Sequence, residues 1–313
     1  MGLAERDPCA AMRALTAVGA PPKNGTTADN SPPLIADLEP IGRHAWRFVM
    51  ANGTNVNVVA RLAREWLELR AALPDPDDQD PARLWALLRQ NARFDGSVRV
   101  VLGLDDDRLS ARADVWTGDK PDLELRVAAA ATALSSACHA LATETGDDSP
   151  VSPRPKESHA STRLEDLCRE AGWAFTRRGG GLEVPLDRAR SSRQARVAVT
   201  SGESVHAVVD LADTAADSSP SCTAIACVLL RVAAVVRLVK GVALARDDGR
   251  QTAALVAVSE SPDAALGVDR ALSALATACR LVEREVQALG NEWLARRYLA
   301  RWATSERAAP TRS

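Results

Sequence analysis

Histidine and lysine are both scarce in this 313-residue chain. There are four histidines: His44, His139, His159 and His206. No two stand at a metal-ligand spacing, and none neighbours a cysteine pair, so each reads as a structural or solvated side chain. Only four of the 39 basic residues are lysine, and 41 acidic residues outnumber the basic ones, for a net charge of -2. Such a balance gives no field that draws a chain onto nucleic acid or an anionic membrane, so neither partner is expected. The arginine and alanine bias reads as the imprint of a GC-rich bacterial genome rather than a phosphate-binding surface.

Long apolar runs are missing too. The longest, Ile225–Val236, is interrupted by Arg231 and reads as a buried helix; it falls short of the ~18 residues that a membrane span needs. The first seven residues are charged and lack the apolar stretch of a secretory signal. A cytoplasmic protein with six reduced cysteines is the expectation.

The familiar site motifs fail one by one. Cys222 and Cys227 are the only close cysteine pair; zinc would want a second pair, and on a helix the two diverge by roughly 140°. Gly179-Gly180-Gly181 lacks the spacing of a phosphate cradle and precedes a strand pattern, so it reads as a hairpin turn. Asp105-Asp106-Asp107 and Asp247-Asp248 sit where turns are expected, and turn chemistry explains them better than a cation site. No catalytic, metal-binding or cofactor-binding residue is assigned, and the chain is expected not to be an enzyme.

What is present is a repeat. Leu84–Trp116 and Ala226–Val258 align at a shift of 142 positions. Leu87-Leu88-Arg89 falls on Leu229-Leu230-Arg231, Val100 and Leu102 on Val242 and Leu244, and Asp105-Asp106 on Asp247-Asp248. A shift of 141 then places Ala133-Leu134 and Cys138 on Ala274-Leu275 and Cys279. A register held over about fifty residues points to a duplicated unit.

Five segments follow. Residues 1–33, rich in turn formers, read as a flexible tail apart from one or two helical turns over Ala10–Val18. Residues 34–142 form a first unit: a short helix within Leu34–Ala45, alternation through Trp46–Met50 into a turn at Asn52-Gly53, and strands over Val56–Leu62 and Trp66–Leu73. A helix over Pro81–Ala92, a hairpin over Val98–Val115 and a helix over Asp122–Ala142 complete it. Residues 143–161 are a Pro- and Ser-rich linker. Residues 162–304 repeat the order. They carry an extra insertion at Asp187–Gln194, a middle helix over Cys222–Val239, a hairpin over Gly241–Ser259, a long helix over Asp263–Leu289 and an amphipathic extension over Asn291–Trp302. Residues 305–313 read as a frayed tail. The predicted class is α+β: two similar units, each an antiparallel sheet with helices on one face, related by a pseudo-twofold axis.

Trp46-x-Phe48 and Trp173-x-Phe175, each after a short helix and before alternating strands, carry a resemblance. With the middle helices, hairpins and closing helices, the order resembles the type III secretion chaperone-like fold and the related YbjN-like domains, over roughly Leu34–Ala142 and Arg163–Leu289. The resemblance implies a non-enzymatic module that holds an extended or helical segment of a partner protein. Two units in one chain imply an internal pseudo-dimer in place of a homodimer, compatible with a monomer. The alternative is a regulatory or scaffold protein that uses the fold only for assembly. Seven tryptophans and alanine-rich helices leave an apolar surplus that must meet a partner or the other unit. Trp293, Tyr298 and Trp302, at helical spacing, with Trp66 and Trp116, are the candidate partner-binding residues.

Overall fold

The computed structural model describes residues 8–19, 35–50, 56–73, 81–94, 96–104, 108–118, 122–143, 161–178, 181–186, 193–199, 205–214, 219–246, 248–259 and 265–307. The class is α+β, with two six-stranded antiparallel sheets and seven helices among these residues. The chain divides into two compact units. One comprises Met1–Pro74, Ser97–Arg99 and Arg108–Asp147; the other comprises Asp75–Gly96, Val100–Asp107 and Asp148–Ser313.

In the first half the elements run α1 (Pro8–Gly19), β1 (Ile35–Gly42), β2 (Ala45–Met50), β3 (Val56–Ala63), β4 (Trp66–Ala72), α2 (Pro81–Asn91), β5 (Arg99–Leu102), β6 (Leu109–Trp116) and α3 (Leu123–Thr143). The second half runs α4 (Ser161–Glu170), β7 (Thr176–Arg178), β8 (Gly181–Pro185), β9 (Gln194–Val199), β10 (Val205–Thr214), α5 (Pro220–Val235), β11 (Val239–Ala245), β12 (Gln251–Val258), α6 (Ala265–Leu289) and α7 (Glu292–Arg307). The sheets are ordered β1-β2-β3-β4-β6-β5 and β7-β8-β9-β10-β12-β11, the same order twice. The 142-residue shift carries β6 onto β12 residue for residue. It also carries Gly96 onto Leu238, and both hold a left-handed backbone, at φ 54° and 65°.

Alternation builds the first sheet. Trp46, Phe48 and Met50 of β2 point inward with Val58, Ala60 and Leu62 of β3 and Leu67, Leu69 and Ala71 of β4, while Arg47 and Arg61 stay exposed. Helix α3 covers β6 and β4, and α1 packs on α3 and β1.

Two expectations need correction here. The helical turns read over Ala10–Val18 extend to a full helix, α1, whose Ala11, Ala14 and Leu15 are buried, so this part of residues 1–33 is a core element and not a tail. The helix expected within Leu34–Ala45 is the edge strand β1, with register shifts beside Asp37 and Pro40 and a left-handed Asp37. Proline and glycine suit an irregular edge strand better than a helix interior. Trp46 lies in β2, the second strand of its sheet, whereas Trp173 and Phe175 precede β7, the first of theirs, so the two motifs are not equivalent positions. The Asn52-Gly53 turn, the Pro74–Asp80 loop, the linker after Thr143 and most of the insertion lie outside the described residues.

In the second unit Ser219 caps α5: its hydroxyl accepts from the Cys222 amide at 3.1 Å, with Pro220 in the first turn. Helix α5 is buried nearly all round, against α2, α6, α7 and β11. Gly241 permits the approach to β11, since a Cβ there would lie 2.6 Å from that of Leu229. Helix α2 belongs to this unit, although it lies between the strands of the first sheet in sequence. Trp85 Nε1 donates to Gln251 Oε1 at 2.7 Å, and the buried Asn91 amide donates to the Gly241 carbonyl at 3.0 Å while bonding Val100. The Lys240 ammonium, also buried, donates to the Phe94 carbonyl at 2.5 Å just past the helix.

Candidate partner-binding groove

Helix α5 brings Val228, Arg231, Val232 and Val235 to one face, because residues three, four and seven apart share a side of a helix. Leu281, Val282 and Glu285 of α6, Tyr298 of α7, and Leu104 just beyond β5 complete a groove of about 230 Å³ in the second unit. Leu104, Val235 and Leu281 are 58%, 55% and 53% exposed, so aliphatic surface continues from the groove onto its rim. A cavity of roughly 150 Å³ holds a benzene, so this space accepts one or two large apolar side chains.

One polar cluster includes two lining residues, Arg231 and Tyr298. The Arg231 guanidinium donates to Tyr298 Oη at 3.4 Å and stands 5.9 Å from the Trp302 ring centroid. Burial pushes the Tyr298 hydroxyl up to about 12, with Arg231 pulling the other way, so the phenol is neutral at physiological pH. Trp302 Nε1 is buried without a hydrogen-bond partner. The lining carries one charge of each sign, Arg231 and Glu285. Helix α6 and the described side chains of α7 carry Arg270, Arg280, Arg284, Arg296, Arg297 and Arg301 along with Asp269, Glu283, Glu285 and Glu292. Three of those four acids are engaged: Asp269 accepts from Trp173 Nε1, Glu283 pairs with Arg193, and Glu292 pairs with Arg296.

The aromatic stripe expected on α7 divides. Tyr298 lines the groove, and Trp302 meets its Arg231. Trp293 points away at 64% exposure, with the Arg297 guanidinium 5.4 Å from its ring centroid. Trp66 and Trp116 are cross-strand partners on β4 and β6 of the first sheet, their rings edge to face at 5.1 Å, so they pack on each other. The rim residues Leu104, Val235 and Leu281 escape sequence reasoning. Val235 had a signal, since an α5 apolar on every side cannot bury every side; Leu104 and Leu281 look like ordinary strand-end and helix residues.

Elsewhere the titratable groups point to packing. Burial pushes the thiols of Cys138 and Cys168 up to about 11 and that of Cys279 up to about 12, the opposite of an activated thiolate. Cys222 and Cys227 are both buried, and Asp210 pairs with Arg196 at 2.7 Å. Asp248 accepts from the Arg250 amide, as a turn aspartate does. No group of three or more metal-ligating side chains occurs among the described residues. Helix α3 is long and apolar enough, by length and composition, to cross a membrane. In the fold it packs on α1, β4 and β6, with Leu123, Val127, Ala131 and Leu134 buried.

No protein-family model, no curated protein and no solved structure matches this chain.

Proposed function

We propose that the chain is a non-enzymatic, cytoplasmic protein-binding module, similar in role to type III secretion chaperones, that holds a helical segment of another protein in the groove between α5 and α6. One observation carries this reading: three aliphatic side chains, each more than half exposed, rim a groove large enough for a partner's apolar anchors. Leaving such surface in water costs roughly 25 cal/mol per Å², and a covered patch recovers it. Helix-in-groove recognition uses this geometry, with anchors three, four and seven residues apart on the guest.

The test is site-specific photo-crosslinking. A photoreactive residue at Leu281 should join one defined segment of one protein, and a synthetic copy of that segment should bind the purified chain at one-to-one stoichiometry. A photoreactive residue at Leu125, 71% exposed on α3 of the first unit, should not capture the segment. Equal capture at both positions, or a segment that fails to bind when purified, overturns the reading.

A further inference from the structure

We propose that α7 is a built-in occupant of the α5 face, a competitor in cis that a partner helix displaces. This rests on the protein-binding reading above and goes further, by naming how the site is regulated and what the partner imitates. Val228, Val232 and Val235 of α5 fall on Ala86, Gln90 and Arg93 at the 142-residue shift. The first half thus keeps small or polar residues where the second has a row of valines, and no counterpart of α7 occurs among its described residues. Helix α7 packs on α5 and α6, and its Tyr298 shares the groove with the three valines. Its inward face carries Ala295, Tyr298 and Trp302 at i, i+3 and i+7, the spacing with which a guest helix enters a groove.

The hold is weak. Of the described α7 side chains only Ala295 is fully buried; Tyr298 and Trp302 are half-buried. At 3.4 Å the Arg231–Tyr298 hydrogen bond is long, and the Trp302 indole N–H gives up water without gaining a partner. Cover is incomplete as well, since Leu104, Val235 and Leu281 stay more than half exposed. A partner helix that covers these too gains apolar contact that α7 leaves in water. Helix α7 is also equipped to leave intact. Asn291 Oδ1 accepts from the Trp293 and Leu294 amides at 3.0 and 3.3 Å, so the first turn is capped from within. Only Gly290 separates that cap from α6.

The test uses the full chain and a fluorescein-labelled peptide of residues 291–307. In the unaltered chain the amides of residues 296–302 should exchange hydrogen at least about a hundredfold faster than those of α5, by local opening. Trp302→Ala loosens α7 in cis. In fluorescence anisotropy this variant should bind the peptide at least about tenfold more tightly than the parent chain does. A peptide carrying both Tyr298→Ala and Trp302→Ala should bind neither protein. Circular dichroism checks that Trp302→Ala keeps the fold; should it not, Tyr298→Ala asks the same question. Exchange of α7 at the rate of α5, or a peptide bound no more tightly by the variant than by the parent, would make α7 a fixed part of the fold and overturn the proposal. The protein-binding reading would still be decided by crosslinking at Leu281, which does not need α7 to move. A dimer in sedimentation that Leu281→Asp dissolves and the peptide leaves intact would assign the face to a second copy and overturn the proposal too.

Discussion

The two sheets share a strand order and fill one strand differently. On β6, positions 110, 112, 114 and 116 carry Ser, Arg, Asp and Trp; 142 residues later β12 carries Thr252, Ala254, Val256 and Val258. In the first unit the Arg99 guanidinium and the Asp114 carboxylate pair at 2.7 Å with almost no exposure, at 2% and 0%. Arg112 lies beside them, 3.7 Å from Glu68; burial pulls its guanidinium below the ordinary value, and Glu68 opposes this. In the second unit Val242, Leu244, Ala254, Val256 and Val258 form an aliphatic cluster, with Ala92 and Val208 packed against it. The strand order therefore does not depend on what fills this strand. It follows from the alternation and connections that both halves keep, and the buried charges are a local choice of the first.

That comparison breaks most sharply at Asp114. Asp114→Ala leaves the Arg99 charge buried without its carboxylate and should cost about 3–5 kcal/mol, whereas Arg99→Met with Asp114→Val, which imports the aliphatic solution, should come close to neutral. Denaturant unfolding followed through tryptophan fluorescence, with Trp66 and Trp116 reporting on the first sheet, separates the two outcomes. A double variant as damaged as the single one would mean that the ion pair fixes the strand arrangement itself.

The sequence carried the repeat and the element order well, because periodicity and turn residues are local signals. The 142-residue register in α2, β5 and β6 reappears in α5, β11 and β12, and the boundaries of α3 and α6 fall within two residues of the reading. It failed where tertiary contact outweighs local pattern. Helix α1 is a core element because it packs on α3 and β1, with Leu15 buried. Nothing local shows that α2 belongs to the second unit, since Trp85 and Asn91 find their partners at Gln251 and Gly241, at least 150 positions away. The groove was half legible. The aromatic spacing drew attention to Tyr298, but the exposure of Leu104 and Leu281 is a property of assembled surfaces.

A milder break lies at Gly241, which occupies the repeat position of Arg99. The first half accommodates an arginine there; the second has no room for a methyl group, because Leu229 Cβ is 2.6 Å and its carbonyl 3.2 Å from where a Cβ would stand. Gly241→Ala should cost about 1–3 kcal/mol by overpacking α5 against β11. It should lower the unfolding midpoint and leave the slope of the transition unchanged. A neutral result would show that α5 has freedom to move away from the strand, which its packing against α2, α6 and α7 argues against.

The smallest effect sharpens the comparison at one hydroxyl. Ser110 Oγ is buried with no hydrogen-bond partner, whereas Thr252 Oγ1, its counterpart, donates to Asp213 at 2.8 Å. That hydrogen bond is the main cause that holds the Asp213 carboxyl below its ordinary value of 3.8; burial opposes it, and Arg246 adds to it. The lowering means that the folded state prefers the carboxylate. Its contribution is complete above the ordinary value and is lost as pH falls through the lowered one. Thr252→Val should therefore destabilise at about pH 7 by under about 1 kcal/mol, since the carboxylate is half exposed, and the difference from the parent should shrink at low pH, as the carboxylate takes up its proton. Ser110→Ala removes a hydroxyl that bonds nothing and should be neutral or slightly stabilising at either pH. Thermal unfolding of the three proteins at both pH values reads this directly. A Thr252→Val penalty that persists undiminished at low pH would assign the effect to packing around the side chain and not to its bond with the carboxylate.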